Sequence, residues 1–265
     1  MATDFRAGKN GFFAPGQPRA EKVNQLFGAI ARRYDLINDL QSFGLHRCWK
    51  RRVLDLANPQ PGEHSLDVCC GTGDLALALA RRGAHTVGLD FNEPMLRIAE
   101  KRKANAECRV LSRDTSNRNP QQAVFKLQYV RGDALQLPFP EASFEIVTVG
   151  YGLRNLASWE SGLREMQRVA KPGGRLLVLD FGKPQNWLWR GLYFGYLRLF
   201  VPLLGLLVCG QAGAYAYILE SLRHYPAQRG VDVKMRELGM VDVRTINLLG
   251  GAMSINYGVK PVARA

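Results

Sequence analysis

The chain has 265 residues, 46% hydrophobic and 22% charged, which is the composition of one globular domain or two small ones. Its 27 glycines and 13 prolines are dispersed, which excludes collagen-like and low-complexity architectures, and its apolar content suffices for a core. The excess of 36 Lys and Arg over 23 Asp and Glu gives +13, a field that favours anionic partners without fixing a fold.

Residues 1–20, rich in Gly, Pro and charge, are expected to form a flexible arm. They contain no continuous apolar run of the kind a signal peptide needs, so the expected location is cytoplasmic. From residue 21 to about residue 60 apolar side chains recur three or four apart (Val23, Leu26, Phe27, Ile30, Tyr34, Ile37), which predicts an N-terminal helical cap broken near Ser42-Phe43-Gly44. The pattern then changes to short apolar runs alternating with helical segments. Strands are predicted at Ser65–Cys70, Thr86–Asp90, Phe125–Val130, Phe144–Val149 and Arg175–Phe181, with helices after the first two and at Leu163–Val169. That alternation predicts an α/β fold with a mostly parallel sheet and helices on both faces, within a single unit over 21–265. Lys103–Ala123 has no periodicity and reads as a polar surface insertion. Residues 185–226 contain Leu199–Leu219, which lacks charge but carries Pro202, Gly205, Gly210, Gln211 and Gly213. Broken apolar helices over a pocket or on a bilayer surface fit that stretch better than a membrane span. The five cysteines and four histidines show no metal-ligand spacing, so no metal is expected.

The chemistry-bearing motifs lie at strand ends. Asp67-Val68-Cys69-Cys70-Gly71-Thr72-Gly73 closes the first strand and opens a helix, a setting in which glycines allow close backbone approach to a ligand and Thr72 offers a hydroxyl. Asp90 ends the next strand, where a carboxylate can accept both hydroxyls of an adenosine ribose. The third glycine of a pyrophosphate loop is missing, and Asp74 puts a negative charge at the helix start. This disfavours a diphosphate and suits a cofactor with a positive sulfonium. In Gly132-Asp133-Ala134, Asp133 can bond an adenine amino group while Ala134 leaves room for the ring. With the Lys171-Pro172-Gly173-Gly174 turn before a Leu-rich strand, these pieces fall in the order of a Rossmann-like methyltransferase.

Further motifs make the resemblance narrower. Arg33-Tyr34-Asp35, Asn38-Asp39, Ser42-Phe43-Gly44-Leu45-His46-Arg47 and Trp49-Lys50 resemble the N-terminal signature of the ubiquinone/menaquinone biosynthesis C-methyltransferases. So do Tyr151-Gly152-Leu153-Arg154-Asn155, the run from Arg168 to Pro184, the Tyr215–Pro226 segment and the Asn247–Gly251 turn. The likeness spans about Val23 to Gly258. It departs from the family at Cys69-Cys70, in the 103–123 insertion, at Gly150 and at Gln211.

The resemblance implies a class I fold with a seven-stranded sheet, and methyl transfer from S-adenosylmethionine to a ring carbon of a prenylated hydroquinone. That carbon is a weak nucleophile until a neighbouring hydroxyl loses its proton, so stabilising the oxyanion is the main task. Arg154 is the candidate for it, since a guanidinium stays protonated, and Asn155 the candidate for orienting the quinol. Gly71, Thr72, Gly73, Asp90, Asp133 and Ala134 are the expected cofactor residues. The run Leu179-Asp180-Phe181-Gly182-Lys183 favours demethylmenaquinol over the benzoquinol of ubiquinone synthesis. A long isoprenoid tail explains the apolar 185–226 region. Arg190, Arg198 and the basic N-terminal region would hold the protein peripherally on an anionic membrane surface. The same region could instead pack as a lid or as the interface of a homodimer. Competing readings are a methyltransferase of another lipid-like acceptor, a non-catalytic scaffold of a quinone-forming complex, and a nucleic-acid module. Aromatics do not interleave with the basic stretches, which argues against nucleic acid.

Overall fold

The computed structural model describes residues 17–113, 125–209 and 213–262. Seven strands form one sheet: β1 (His64–Val68), β2 (His85–Asp90), β3 (Leu127–Arg131), β4 (Phe144–Gly150), β5 (Ala170–Phe181), β6 (Val241–Leu248) and β7 (Met253–Val259). Their spatial order is β3-β2-β1-β4-β5-β7-β6. The first five run parallel, whereas β7 is antiparallel to both β5 and β6. Chain order reverses on either side of β1, which pairs with β2 on one edge and β4 on the other. A crevice outside the carboxyl ends of the strands opens at such a switch point, and ligands of open α/β sheets bind there.

Period-2 alternation assigns the side chains to two cores. Along β5, Leu176 and Val178 pack with Leu163 and Met166 of α6 (Trp159–Val169) and Val231 of α9 (Ala227–Glu237). Leu177 and Leu179 face the opposite way, toward Val53 and Leu54 of α3 (Leu45–Ala57) and Leu79 of α4 (Asp74–Arg81). The expected Lys171–Gly174 turn is a loop within β5, between the pairing of Ala170 with Phe144 and that of Arg175 with Ile146.

Ahead of the sheet, α1 (Gln17–Ile30), α2 (Tyr34–Ser42) and α3 form the cap. The helix starts at Gln17, inside the stretch expected to be an arm; residues 1–16 lie outside the described residues. The polar insertion expected from Lys103 is corrected as far as Arg113, because α5 runs unbroken over Glu93–Arg113. Good helix formers need only a narrow packed stripe, and Met95, Ala99 and Ala106 supply it at spacings of four and seven. The remainder of that stretch, 114–123, is outside the described residues.

The apolar segment also departs from expectation. One helix, α7 (Trp187–Cys209), continues through Pro202 and Gly205, and α8 (Gly213–His224) follows it. Gly210 and Gln211 lie outside the described residues. Proline removes one helical hydrogen bond. Packing of the inner face of α7 compensates: Tyr193, Leu197 and Val201 are buried. The Tyr193 hydroxyl donates to Ala252 O (3.0 Å) and that of Tyr196 to Gln41 O (2.6 Å), tying the helix to β7's approach and to the cap. By length and composition α7 could cross a bilayer.

Candidate active site

At the carboxyl end of β1 the chain turns sharply, with positive φ at Cys69 (54°), Gly71 (56°) and Gly73 (80°) before α4 begins. Gly73 has no room for a side chain, since a Cβ would lie 2.2 Å from the Tyr129 hydroxyl. The Gly71 N–H donates to Asp90 Oδ2 (2.7 Å), and Asn92 N–H donates to Asp90 Oδ1 (2.8 Å). Burial pushes the Asp90 carboxyl up, while these N–H groups pull against it. Each carboxylate oxygen keeps lone-pair capacity for a further donor.

A cavity of about 320 Å³ lies over this turn, lined by Gly71, Asp90, Asp133, Ala134, Tyr151 and Asn155 among others. Its volume suits a small ligand. Asp133 accepts from Leu135 N–H (2.9 Å), leaving its other oxygen for a ligand, and buried Ala134 forms a small floor. Glu21, Val23 and Asn24 of α1 close the opposite side. Asn92 secures that roof by donating through Nδ2 to Asn24 O and Oδ1, both at 2.7 Å. Thus the residue that orders Asp90 also holds the helix covering it. The donors and acceptors fit an adenosyl group with its ribose on Asp90 and its base by Asp133 and Ala134.

Two expected cofactor residues do something else. Thr72 is buried, and its hydroxyl donates to Asp35 Oδ1 of α2 (3.0 Å) rather than lining the cavity. Gly73 serves close packing against Tyr129 and does not line it either. The reading of Asp74 also changes. It is bound by Lys50 Nζ of α3 (2.7 Å) and by Arg102 of α5, which bridges to Asp35 and to the Thr72 hydroxyl. Burial pushes Asp74 up, but Lys50 and Arg102 more than offset it and hold the carboxyl below its usual value. Its charge therefore fastens the cap to the glycine turn. Sequence motifs contained Asp35 and Lys50, but nothing local pairs them with residues 24 to 67 positions away.

A second, largely apolar cavity of about 360 Å³ lies between the cap and α7. Ile37, Trp49, Phe181, Leu197 and Met253 give its character. Phe27, Tyr34 and Tyr151 line both cavities and so form their junction. Tyr151 sits there with φ 62°, costly for a residue with a side chain. Its carbonyl accepts from Arg154 Nη1 (2.7 Å) and Asn155 Nδ2 (3.0 Å), which helps fix the bend. Buried polar atoms without a hydrogen-bond partner occur in these walls: His46 Nδ1 on the apolar side, Tyr151 Oη at the junction, Asn155 Oδ1 on the other side. Unpaired buried polar atoms are rare, and their concentration here marks a place where ligands supply the partners.

Arg154 borders the apolar cavity, only 5% exposed and in a buried ion pair. Its Nη1 lies 2.5 Å from Asp180 Oδ1, and its guanidinium stacks 4.5 Å from the Phe181 ring centre. The pair is neutral as a unit, so it acts on an oxyanion as a dipole rather than as a full charge. Asn155 lines the first cavity and not the apolar one, which corrects the expectation that it orients the quinol. Asp90→Ala removes the acceptor for two backbone N–H groups and, in the expected pose, for the ribose. Losing two charge-assisted hydrogen bonds, each about 1.5–3 kcal/mol, lowers adenosylmethionine affinity by about 10²-fold or more. Calorimetry on the folded variant checks this, and unchanged affinity contradicts it.

Known proteins share this fold and much of this sequence. An S-adenosylmethionine-dependent methyltransferase from Aquifex aeolicus shares the fold with a TM-score of 0.53 at 15% identity, over 79% of this chain and 88% of its own. Two relatives are named ubiquinone/menaquinone biosynthesis C-methyltransferase UbiE. That of Ectopseudomonas mendocina is 39% identical over 254 residues, covering 93% of this chain and 92% of the relative. That of Azotobacter vinelandii is 38% identical over 250 residues, covering 93% of each. The model of the ubiE/COQ5 methyltransferase family matches residues 17–260, from the first turn of α1 to just past β7, and the chain belongs to that family of S-adenosylmethionine-dependent C-methyltransferases.

Proposed function

We propose that this protein methylates a ring carbon of a prenylated hydroquinone, with demethylmenaquinol as the preferred acceptor. The observation that carries the reading is the junction at Phe27, Tyr34 and Tyr151. There a cavity built on Asp90 and Asp133 meets an apolar one that can hold an aromatic ring and the start of its tail. Bound S-adenosylmethionine supplies an electrophilic methyl carbon. The chain's own residues align it with the ring and exclude water, which removes much of the orientational cost of transfer. The Arg154–Asp180 dipole lies in the wall beside the ring and favours negative charge on a quinol oxygen. The UbiE relatives carry both quinones in their names, so the benzoquinol is the second reading. Quinones extracted from a strain lacking this protein decide between them. Accumulation of demethylmenaquinone is expected, accumulation of the unmethylated benzoquinone would favour the second reading, and an unchanged profile contradicts both.

The tail also gives α7 a reason for its outward face. Leu188, Leu192, Leu199, Leu203 and Leu207 are more than half exposed and recur at helical spacing, with Arg190 and Arg198 also exposed. A helix whose inner face walls the apolar cavity and whose outer face is apolar and flanked by arginines suits a peripheral seat on an anionic bilayer, at its cytoplasmic face. The tail then passes from lipid to cavity without crossing water. Alkaline carbonate or high salt is expected to strip the protein from membranes; retention through both washes, with release only by detergent, indicates a span.

The buried ion pair dictates how Arg154 is tested. Arg154→Met alone strands the Asp180 carboxylate and costs about 3–5 kcal/mol of stability, which would masquerade as lost catalysis. Asp180 also accepts from Phe181 N–H at Oδ1 (2.8 Å) and from Arg154 N–H at Oδ2 (3.2 Å); an asparagine oxygen keeps the shorter of these and gives up the longer. The double variant Arg154→Met/Asp180→Asn leaves no stranded charge, so it is expected to be less destabilised than Arg154→Met alone, and when folded to turn over about 10²–10³-fold more slowly than wild type, with adenosylmethionine affinity unchanged. Turnover within a few-fold of wild type would make the pair purely structural.

A further inference from the structure

Methylation at carbon needs an acceptor for the hydroxyl proton, within hydrogen-bond reach of the quinol. Most polar groups lining the apolar cavity are unsuited to it. Tyr34, Tyr151, Tyr193 and Tyr196 are kept protonated by burial, and the Asp180 carboxylate beside the cavity is bound to Arg154.

His46 differs. It sits in the first turn of α3, 4% exposed, in the cavity wall. Its Nε2 lies 2.8 Å from Asp39 Oδ1. Asp39 is also gripped by Arg47, through Nε to Oδ1 (2.9 Å) and Nη2 to Oδ2 (2.6 Å), and these bonds hold its carboxyl below the usual range. An ionised carboxylate only accepts, so the imidazole hydrogen is on Nε2 and the lone pair on Nδ1. That Nδ1 is buried without a hydrogen-bond partner. An Asp–His pair serving only to pin α2 to α3 needs Nε2 and gains nothing from a bare Nδ1.

Asn38 complements it. Its Oδ1 is taken by Gln41 Nε2 (2.7 Å), while its Nδ2 is buried in the same wall beside the Tyr34 hydroxyl. Ser42 links the two residues, donating to Asn38 O (2.5 Å) and accepting from His46 N–H (3.2 Å). An unsatisfied acceptor on His46, with the Asn38 amide donor beside it, is what a hydroxyl group requires.

We propose that His46 is the general base of the reaction, with Asp39 as its positioning residue and Asn38 donating to the same quinol oxygen; this rests on the quinol reading above. The O–H bond breaks and its proton moves to Nδ1. The freed electron pair pushes through the ring to the adjacent carbon, which bonds the methyl carbon as the methyl–sulfur bond breaks onto sulfur. The hydrogen on the methylated carbon then shifts to the oxygen and restores the aromatic ring. The imidazolium passes its proton to solvent, so one proton is released per methyl transferred. Charged groups around the imidazole set its readiness. Burial pushes its pKa down, Asp39 pulls it up, Lys50 pushes it down and Asp74 pulls it up, with a net lowering that leaves it neutral at pH 7. Arg47 binds both oxygens of Asp39, sharing Oδ1 with the imidazole.

The test is the pH dependence of kcat for the full chain, with S-adenosylmethionine and a short-tailed demethylmenaquinol or benzoquinol kept reduced. Wild type is expected to lose rate on the acid side, as His46 gains its proton. His46→Gln should fall by about 10²–10⁴-fold, lose that acid limb and rise steadily with pH, while adenosylmethionine affinity stays within two-fold. Asp39→Asn should move the limb to lower pH, because the group that raises the imidazole pKa is gone; it decides the matter if His46→Gln does not fold. A His46→Gln enzyme within three-fold of wild type, one that keeps the limb, or an unmoved limb in Asp39→Asn overturns the assignment to His46 alone. A wild type that methylates neither quinol overturns the quinol reading and this assignment with it.

Discussion

The seating of the cap on the glycine turn is the constraint on which the rest depends. Arg102 reaches Asp35 and Asp74 at once, Lys50 adds a second bond to Asp74, and the Thr72 hydroxyl completes the contact. Without that network the sheet offers only the open crevice of any parallel α/β protein. With it, α1 roofs the first cavity, α2 and α3 wall the second, and Phe27 and Tyr34 stand where the two meet. Partly buried charges of this kind stabilise modestly, but as a network they specify one arrangement. The cap thus bears on the same turn that lines the first cavity, since Thr72 and Gly71 are adjacent in it.

The site's polarity is arranged in opposite ways on its two sides. Carboxylates line the first cavity: Asp90 is ordered by backbone N–H groups and Asp133 by its own turn. Toward the second, charges are neutralised in pairs before they reach the wall, as in Arg154 with Asp180 and Arg47 with Asp39. An apolar ring and tail can enter such a wall without stranding an ion. What remains on that side is a set of neutral groups that lack partners, which is where proton chemistry is affordable in a dry pocket.

Legibility from sequence followed range. That Gly71, Asp90, Asp133 and Ala134 line one cavity is legible, because each owes its place to a strand end, and strand ends are marked by local pattern. Thr72 was misread because its rotamer answers to Asp35, 37 positions earlier. The role of Arg154 was half readable: the Gly-Leu-Arg-Asn motif put it by the site, but only the fold supplies Asp180, 26 residues on. In α7, proline and glycine suggested breaks, and tertiary packing of Tyr193, Leu197 and Val201 overrode them. The lack of periodicity after Lys103 misled for a different reason, since a helix with only a narrow buried stripe shows little amphipathic signal. His46 and Asn38 lay inside a quoted motif, yet the unpartnered atom of His46 is a property of burial and invisible in sequence.

A crystal structure of the protein with S-adenosylhomocysteine and a short-tailed demethylmenaquinone tests the two-cavity arrangement most directly. The ribose hydroxyls are expected on Asp90, the thioether sulfur at the junction of Phe27, Tyr34 and Tyr151, and the ring within the apolar cavity with an oxygen against Asn38 and His46. A ring bound outside that cavity, or a nucleoside held away from Asp90, would contradict it.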